Sequence, residues 1–357
     1  MQLTKFATMI ITIGRMIKMK EKNLIYSKDF SGKESDFFLR CGFDAISDYL
    51  LSITYRRLSN RSSGVRRTPE HPEGFRVIGE VELADPFKGD NKENARIYHE
   101  GIDWHIKHLK IDGKDFFIVS NGNLGNNFWN LAWGRDQDSH IYCLKGEPFL
   151  ERAYSCFLVP QSGKPRIQKV RFNGLEQVLD ENGRNISEEV NWCNYGQQIL
   201  REGNVVPIEE IIEEFYDVRH VLDLRDYAKK GDPDGEKRMQ EDMEVIRSLY
   251  LEYPEKFREK MIAGLKAGRK RGEHYHNVLG IVEKGIVVYQ SKGVVEDIAK
   301  RLADKGTKDA IILDNGGSVG TYASWENDNK GGWLNKCSYF RPERISYIAF
   351  VLKDDGK

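Results

Sequence analysis

The sequence predicts an α+β chain: a β-rich domain that carries a helical insertion and follows an N-terminal extension. Three observations predict this. Short apolar runs punctuated by Gly, Pro and Asn fill residues 96–206, apolar residues recur at helical spacing over residues 207–268, and a strand and helix rhythm returns from Val278 to Leu352. A length of 357 residues is enough for one large domain with an insertion, or for two domains.

Composition narrows the function. Lys plus Arg number 55 and Asp plus Glu 55, a balance that argues against a nucleic-acid backbone as the main partner, so any phosphate recognition has to be local. A hydrophobic content of 39% with 11% aromatic residues is that of a globular chain. No run approaches the roughly 18 uncharged apolar residues of a membrane-spanning helix, so no membrane partner is expected. The cysteines Cys41, Cys143, Cys156, Cys193 and Cys337 are scattered and form no Cys-x-x-Cys pair, which fits a reducing compartment. Phe6 to Ile13 imitates a short signal-peptide core. Arg15, Lys18, Lys20 and Lys22 follow at once without a small-x-small cleavage site, so a cytoplasmic location is expected.

Along the chain, residues 1–95 form the extension. Ser35 to Leu51 reads as a helix with Phe38, Leu39, Ile46 and Leu50 available for packing, and the Ser-, Gly-, Pro- and Arg-rich stretch Arg56 to Gly74 reads as a linker or exposed loop. The domain over residues 96–357 opens on strand-like alternation at Trp104 to Leu109. Strands are then expected at Asp115 to Ser120, Ser139 to Leu144, Ser155 to Val159 and Ile167 to Phe172, with a pair turned at Glu202-Gly203-Asn204. Pro207 suits a first helical turn, and Ile208, Ile211, Ile212 and Phe215 begin the helical insertion over residues 207–268, a surface suited to homo-oligomer contacts. A hairpin follows (Val278 to Glu283, Ile286 to Gln290), then an amphipathic helix from Ser291 to Lys305, a buried strand Ala310 to Leu313, and a closing strand Ile345 to Leu352.

The strongest local signal is Ala310 to Gly320, AIILDNGGSVG: an apolar strand, an acidic residue at its end, two glycines and a hydroxyl. Glycines let backbone N–H groups turn toward an anion, and Ser318 can donate to a phosphate oxygen. Asp314 either holds a sugar hydroxyl or a divalent cation, or bonds the N–H groups of its own turn.

These residues resemble the phosphodiester glycosidase domain family. The family pattern of His-Pro-Arg-Thr-Ala-x-Gly, hairpin, helix, Leu-Asp-Gly-Gly-Gly-Ser and a closing Arg-hydrophobic strand is matched in order by His274 to Gly280, Leu313 to Ser318 and Pro342 to Ile345. Upstream, Asn121-Gly122 stands where the family has an Asn-Gly-Gly turn, and Asn194 to Val206 resembles its Gly-x-x-Leu-x-x-Gly-x-Val segment. The resemblance implies a phosphodiester-glycosidase-like fold and hydrolysis of the bond between a sugar anomeric carbon and a phosphate. A sugar-1-phosphodiester or nucleotide-sugar-like molecule would be the substrate. It further implies Asp314, His274 and His276 as catalytic groups, with Asn315, Gly316, Gly317, Ser318, Asn277, Arg344 and Asn121 binding the substrate or its phosphate. Two departures stand out. Asn315 replaces the first glycine of the triplet, where Asn tolerates left-handed backbone angles, and His276-Asn277 replace Arg-Thr, exchanging a permanent guanidinium for an imidazole. The second departure opens an alternative function: a binding protein that sequesters a phosphorylated sugar or nucleotide without turnover.

Overall fold

The computed structural model describes residues 24–31, 34–53, 55–57, 65–68, 71–76, 79–83, 93–97, 101–114, 116–122, 132–135, 141–144, 153–173, 177–207, 210–211, 274–316, 319–324, 331–338, 340 and 346–353. In chain order the first strands are β1 (Leu24–Ser31), β2 (Glu34–Gly42), β3 (Ile46–Ile53), β4 (Tyr55–Arg57), β5 (Val65–Thr68), β6 (His71–Arg76), β7 (Gly79–Leu83) and β8 (Glu93–Ile97). Helix α1 (Ile102–His108) precedes β9 (Phe117–Asn121), β10 (Ala132–Arg135), β11 (Ile141–Leu144), β12 (Tyr154–Pro160), β13 (Arg166–Asn173), β14 (Gln177–Asp180), β15 (Val190–Tyr195), β16 (Gln197–Arg201) and β17 (Asn204–Val205). The last group is β18 (His274–Val282), β19 (Gly285–Gly293), α2 (Val295–Asp304), β20 (Asp309–Asn315), β21 (Gly320–Ser324), β22 (Gly331–Lys336) and β23 (Ser346–Leu352).

Three sheets dominate: seven strands in the order β1-β2-β19-β18-β20-β16-β17, six in the order β11-β10-β15-β12-β13-β14, and five in the order β22-β21-β9-β23-β3. Their neighbours pair antiparallel. The architecture is therefore mostly β, which corrects the α+β expectation: the described residues hold only two α-helices. The helical insertion expected over residues 207–268 lies, apart from Pro207 and residues 210–211, outside the described residues.

Two local expectations are overturned for physical reasons. Ser35 to Leu51, expected as a helix, is β2 and β3. Phe37, Leu39 and Cys41 enter one core while Phe38 enters another, so the run Phe37 to Leu39 shows no alternation and also fits a helical period. Trp104 to Leu109, expected as a strand, lies in α1 and its C-cap, because Ile102, Ile106 and Leu109 form one buried stripe at helical spacing. Within the stretch Arg56 to Gly74, expected as linker, β4 pairs with β8 and β5 with β6.

The main core joins all three sheets. Leu39, Leu279, Val288 and Ile311 come from the seven-stranded sheet, Ile118, Ile348 and Phe350 from the five-stranded sheet, and Ala132, Phe157 and Trp192 from the six-stranded sheet. Each helix covers an outer face. Ile298, Ala299 and Leu302 of α2 bury against Ile199, Val278, Val287 and Ile312, and α1 covers Phe117, Val119, Tyr347 and Ala349. Burying one such aliphatic side chain contributes about 1.5–3 kcal/mol, so these layers rather than helix propensity hold both helices. Strands β2 and β3 pair with β19 and β23, which ties residues 34–53 to the C-terminal strands. Across the edges, Lys28 Nζ on β1 donates to the Leu334 carbonyl on β22 at 3.0 Å.

The chain passes from the six-stranded to the seven-stranded sheet at Gly196, between β15 and β16. A Cβ there would stand 2.5 Å from the Ile312 carbonyl oxygen and 2.6 Å from Ile311 Cγ1, so no side chain fits at the crossing. Gly196→Ala should destabilise the protein by about 1–3 kcal/mol, read as a lower urea midpoint at unchanged m-value. The Cys41 thiol is pushed up to about 12 by burial, with the Asp44 carboxylate adding to the shift. At pH 8 almost none of it is thiolate. Iodoacetamide should leave Cys41 unmodified in the folded protein and alkylate it after denaturation, checked by mass spectrometry.

Candidate functional site

Strand β20 lies between β18 and β16, and its residues Ala310 to Leu313 are fully buried. This central strand, apolar on both faces, delivers Asp314 near its end with only 2% of the residue exposed. Both carboxyl oxygens are engaged: Asn121 Nδ2 donates to Oδ2 at 2.7 Å and the Asn315 N–H donates to Oδ1 at 2.7 Å. Asn121 ends β9, so the first of these bonds joins the five-stranded sheet to the seven-stranded one. Its own Oδ1 accepts from the Gly320 N–H at 3.1 Å. A buried carboxyl group held from two sides in this way keeps its orientation when a ligand arrives.

The ladder explains what stands beside it. Asn277 on β18 pairs with Asp314 on one side and Gln290 on the other, and His276 pairs with Asn315. The register shifts between Asn277 and Val278, where Leu313 of β20 is the extra residue. Asn277 Nδ2 donates to the Asn121 carbonyl at 2.7 Å, while its Oδ1 accepts from Ser120 Oγ at 3.1 Å and from Gln290 Nε2 at 2.8 Å. Gln290 Nε2 also donates to Thr321 Oγ1 at 2.8 Å. Asn335 Nδ2 extends the chain of bonds to Gln290 Oε1 at 2.8 Å and to the Tyr275 hydroxyl at 2.6 Å. A continuous buried polar layer thus crosses the interface between two sheets, directly above the aliphatic core.

His276 is 5% exposed, and its Nε2 lies 3.2 Å from the Gly293 carbonyl oxygen. A carbonyl can only accept, so Nε2 is the donor in this contact.

Of the residues singled out from the sequence, the structure joins Asp314, Asn121, Asn277 and Asn315 through hydrogen bonds and strand pairing, while His276 pairs with Asn315, one place along the strand from Asn277 and so on the opposite face of the sheet. The backbone of His274 lies in β18 opposite Gly293, and its side chain lies outside the described residues, as do Gly317, Ser318 and Arg344. The left-handed geometry expected at Asn315 falls instead on Gly316, at φ +77°, while Asn315 remains in the strand. Ser120, Gln290, Thr321, Tyr275 and Asn335 were not foreseen, since single polar residues inside apolar strands give no periodic signal. Among the described residues no group of three His, Cys, Asp or Glu side chains converges on a cation position. No helix among them is long and apolar enough to cross a membrane.

No family model matches this chain, and neither does any curated protein. Among solved structures, the chain is similar to the catalytic domain of zebrafish N-acetylglucosamine-1-phosphodiester alpha-N-acetylglucosaminidase, auto-inhibited by its pro-peptide. The identity is 11% and the TM-score 0.42, over 93% of this chain and 82% of that one. It is also similar to a hypothetical protein from Synechocystis, at 9% identity and a TM-score of 0.31, over 92% of this chain and 62% of that one. Both are distant likenesses of shape.

Asn121→Ala removes a donor from the buried Asp314 carboxyl and should cost about 2–3 kcal/mol of stability in urea unfolding. Combined with Asp314→Ala, the loss should fall short of the sum of the two single losses by about 1 kcal/mol.

Proposed function

We propose that this chain binds a sugar-phosphate through the turn that follows β20 and hydrolyses the bond between the anomeric carbon and the phosphate. The observation that carries the reading is the Asp314 carboxyl group, buried and fixed between Asn121 and Asn315, with His276 on the neighbouring strand. A phosphate joined to an anomeric carbon is already a good leaving group, so its departure needs little protonation. What the reaction needs is stabilisation of the positive charge that develops on the sugar and an activated water. Asp314 supplies the first. His276 is assigned the proton from water on the sequence pattern. Gly316 gives the turn the backbone shape that lets N–H groups face an anion. Gly317, Ser318, His274 and Arg344 enter as phosphate and acid-base groups on the sequence pattern alone. The ligand is a small molecule, and a cytoplasmic setting and self-association through residues 207–268 belong to the same proposal.

The alternative of capture without turnover also has an observation behind it. Asn277 spends its carboxamide on Asn121, Ser120 and Gln290, so the position that carries Thr in the family pattern is committed to the fold. Incubation with a panel of glucose and N-acetylglucosamine 1-phosphodiesters and nucleotide sugars, with and without Mg²⁺ or Mn²⁺, separates the two. Turnover should release free sugar, fall by on the order of 100-fold or more in Asp314→Ala, and by about 100-fold in His276→Gln. Stoichiometric capture with intact ligand recovered on denaturation would establish the binding protein. If neither binding nor release depends on Asp314, both readings fail.

A further inference from the structure

Among the described residues, Asn194 is the one fully buried carboxamide near the site whose two ends, Oδ1 and Nδ2, both lack a hydrogen-bond partner. It lies on β15 opposite Ala132 and Phe157, on the inward face that also carries Trp192. Its place relative to Asp314 follows from Gly122. That residue comes directly after Asn121, the donor to Asp314, and donates its N–H to the Ser346 carbonyl at 2.9 Å. A Cβ on Gly122 would stand 3.2 Å from Asn194 Nδ2, so the carboxamide lies against the residue that follows Asn121. The third sheet therefore sends one polar side chain to the place where the other two meet.

Such a residue is expensive. A buried amide with neither end bonded loses its hydration and gains nothing for it, while a leucine of similar size would have neither liability. We propose that Asn194 is a ligand-contacting residue of the Asp314 site, where its adjacent donor and acceptor take a neutral hydroxyl-bearing part of the ligand; this rests on the sugar-phosphate reading above. The chemistry selects the group. The oxygens of a phosphodiester only accept and would leave Oδ1 unsatisfied, whereas a sugar hydroxyl both donates and accepts and satisfies both ends of the carboxamide. Asn194 and Asp314 are 0% and 2% exposed, so a ligand reaches them through a local opening and, once enclosed, meets no competing water.

Asn194→Leu tests the assignment, with UDP-glucose and inorganic phosphate as probes, calorimetry for Kd and a ligand-free thermal scan. The expected result is a rise in ligand-free Tm of about 2–4 °C, because an unsatisfied polar group is removed. The Kd for UDP-glucose should weaken about tenfold or more while that for phosphate holds. If the leucine variant fails to fold, Asn194→Ala gives the same comparison of the two probes. A lower ligand-free Tm in Asn194→Leu would mark the carboxamide as satisfied within the fold and overturn the assignment. So would an unchanged affinity for UDP-glucose, or an equal loss for both probes. Wild-type protein that binds neither probe overturns the sugar-phosphate reading itself, whereas wild-type binding that is indifferent to residue 194 overturns this inference alone.

Discussion

The hydrogen bond from Asn121 to Asp314 is the joint on which the rest of the candidate site depends. It crosses between two sheets, and each partner is fixed again on its own side, Asp314 by Asn315 and Asn121 by Gly320 and Asn277. In a medium of low polarisability such bonds strengthen one another, and a missing partner is costly. The two sheets can therefore pack in one relative position only. A sheet interface lined solely by Leu, Ile and Val would tolerate sliding, but the layer from Ser120 through Gln290 to Tyr275 does not.

That rigidity and the candidate chemistry come from the same residues. Asp314 stands near the end of a strand buried on both faces, and Asn277 pairs beside it across the ladder. Site geometry is set by strands rather than loops, which holds reacting groups to tighter tolerances. Asn277 shows the cost of this economy. It braces the joint through both ends of its carboxamide, accepting twice at Oδ1 and donating from Nδ2.

Much of the C-terminal half was legible in the sequence. The hairpin β18 and β19, helix α2 and strand β20 each announce themselves by an apolar run or stripe that stops at a clear turn residue, Gly285, Gly306 or Gly316. The strand β2 did not, because Phe37-Phe38-Leu39 fits a helical stripe as well as a strand, and WHIKHL in α1 satisfies a period of two as readily as one of 3.6. For the site, Asp314 and Asn121 were legible from the turn they occupy. Gln290, Thr321 and Asn335 were not: each is one polar residue in an apolar strand, and only the register across β18, β19, β21 and β22 brings them together. The third sheet's contribution was hidden for the same reason, since Asn194 is one polar residue in the buried strand β15.

The pairing of β3 with β23 bears on how the molecule comes to exist. Ile53 meets Ser346 and Ile46 meets Leu352, so the outer ladder of the five-stranded sheet joins the beginning of the described chain to its end. β2 likewise waits for β19. During synthesis Phe37, Leu39 and Leu51 emerge from the ribosome long before the strands that cover them. Such long-range closure is slow, and the uncovered edges are open to pairing with other chains. For this protein, then, biogenesis is governed as much by what shields the nascent strands as by the depth of the native minimum.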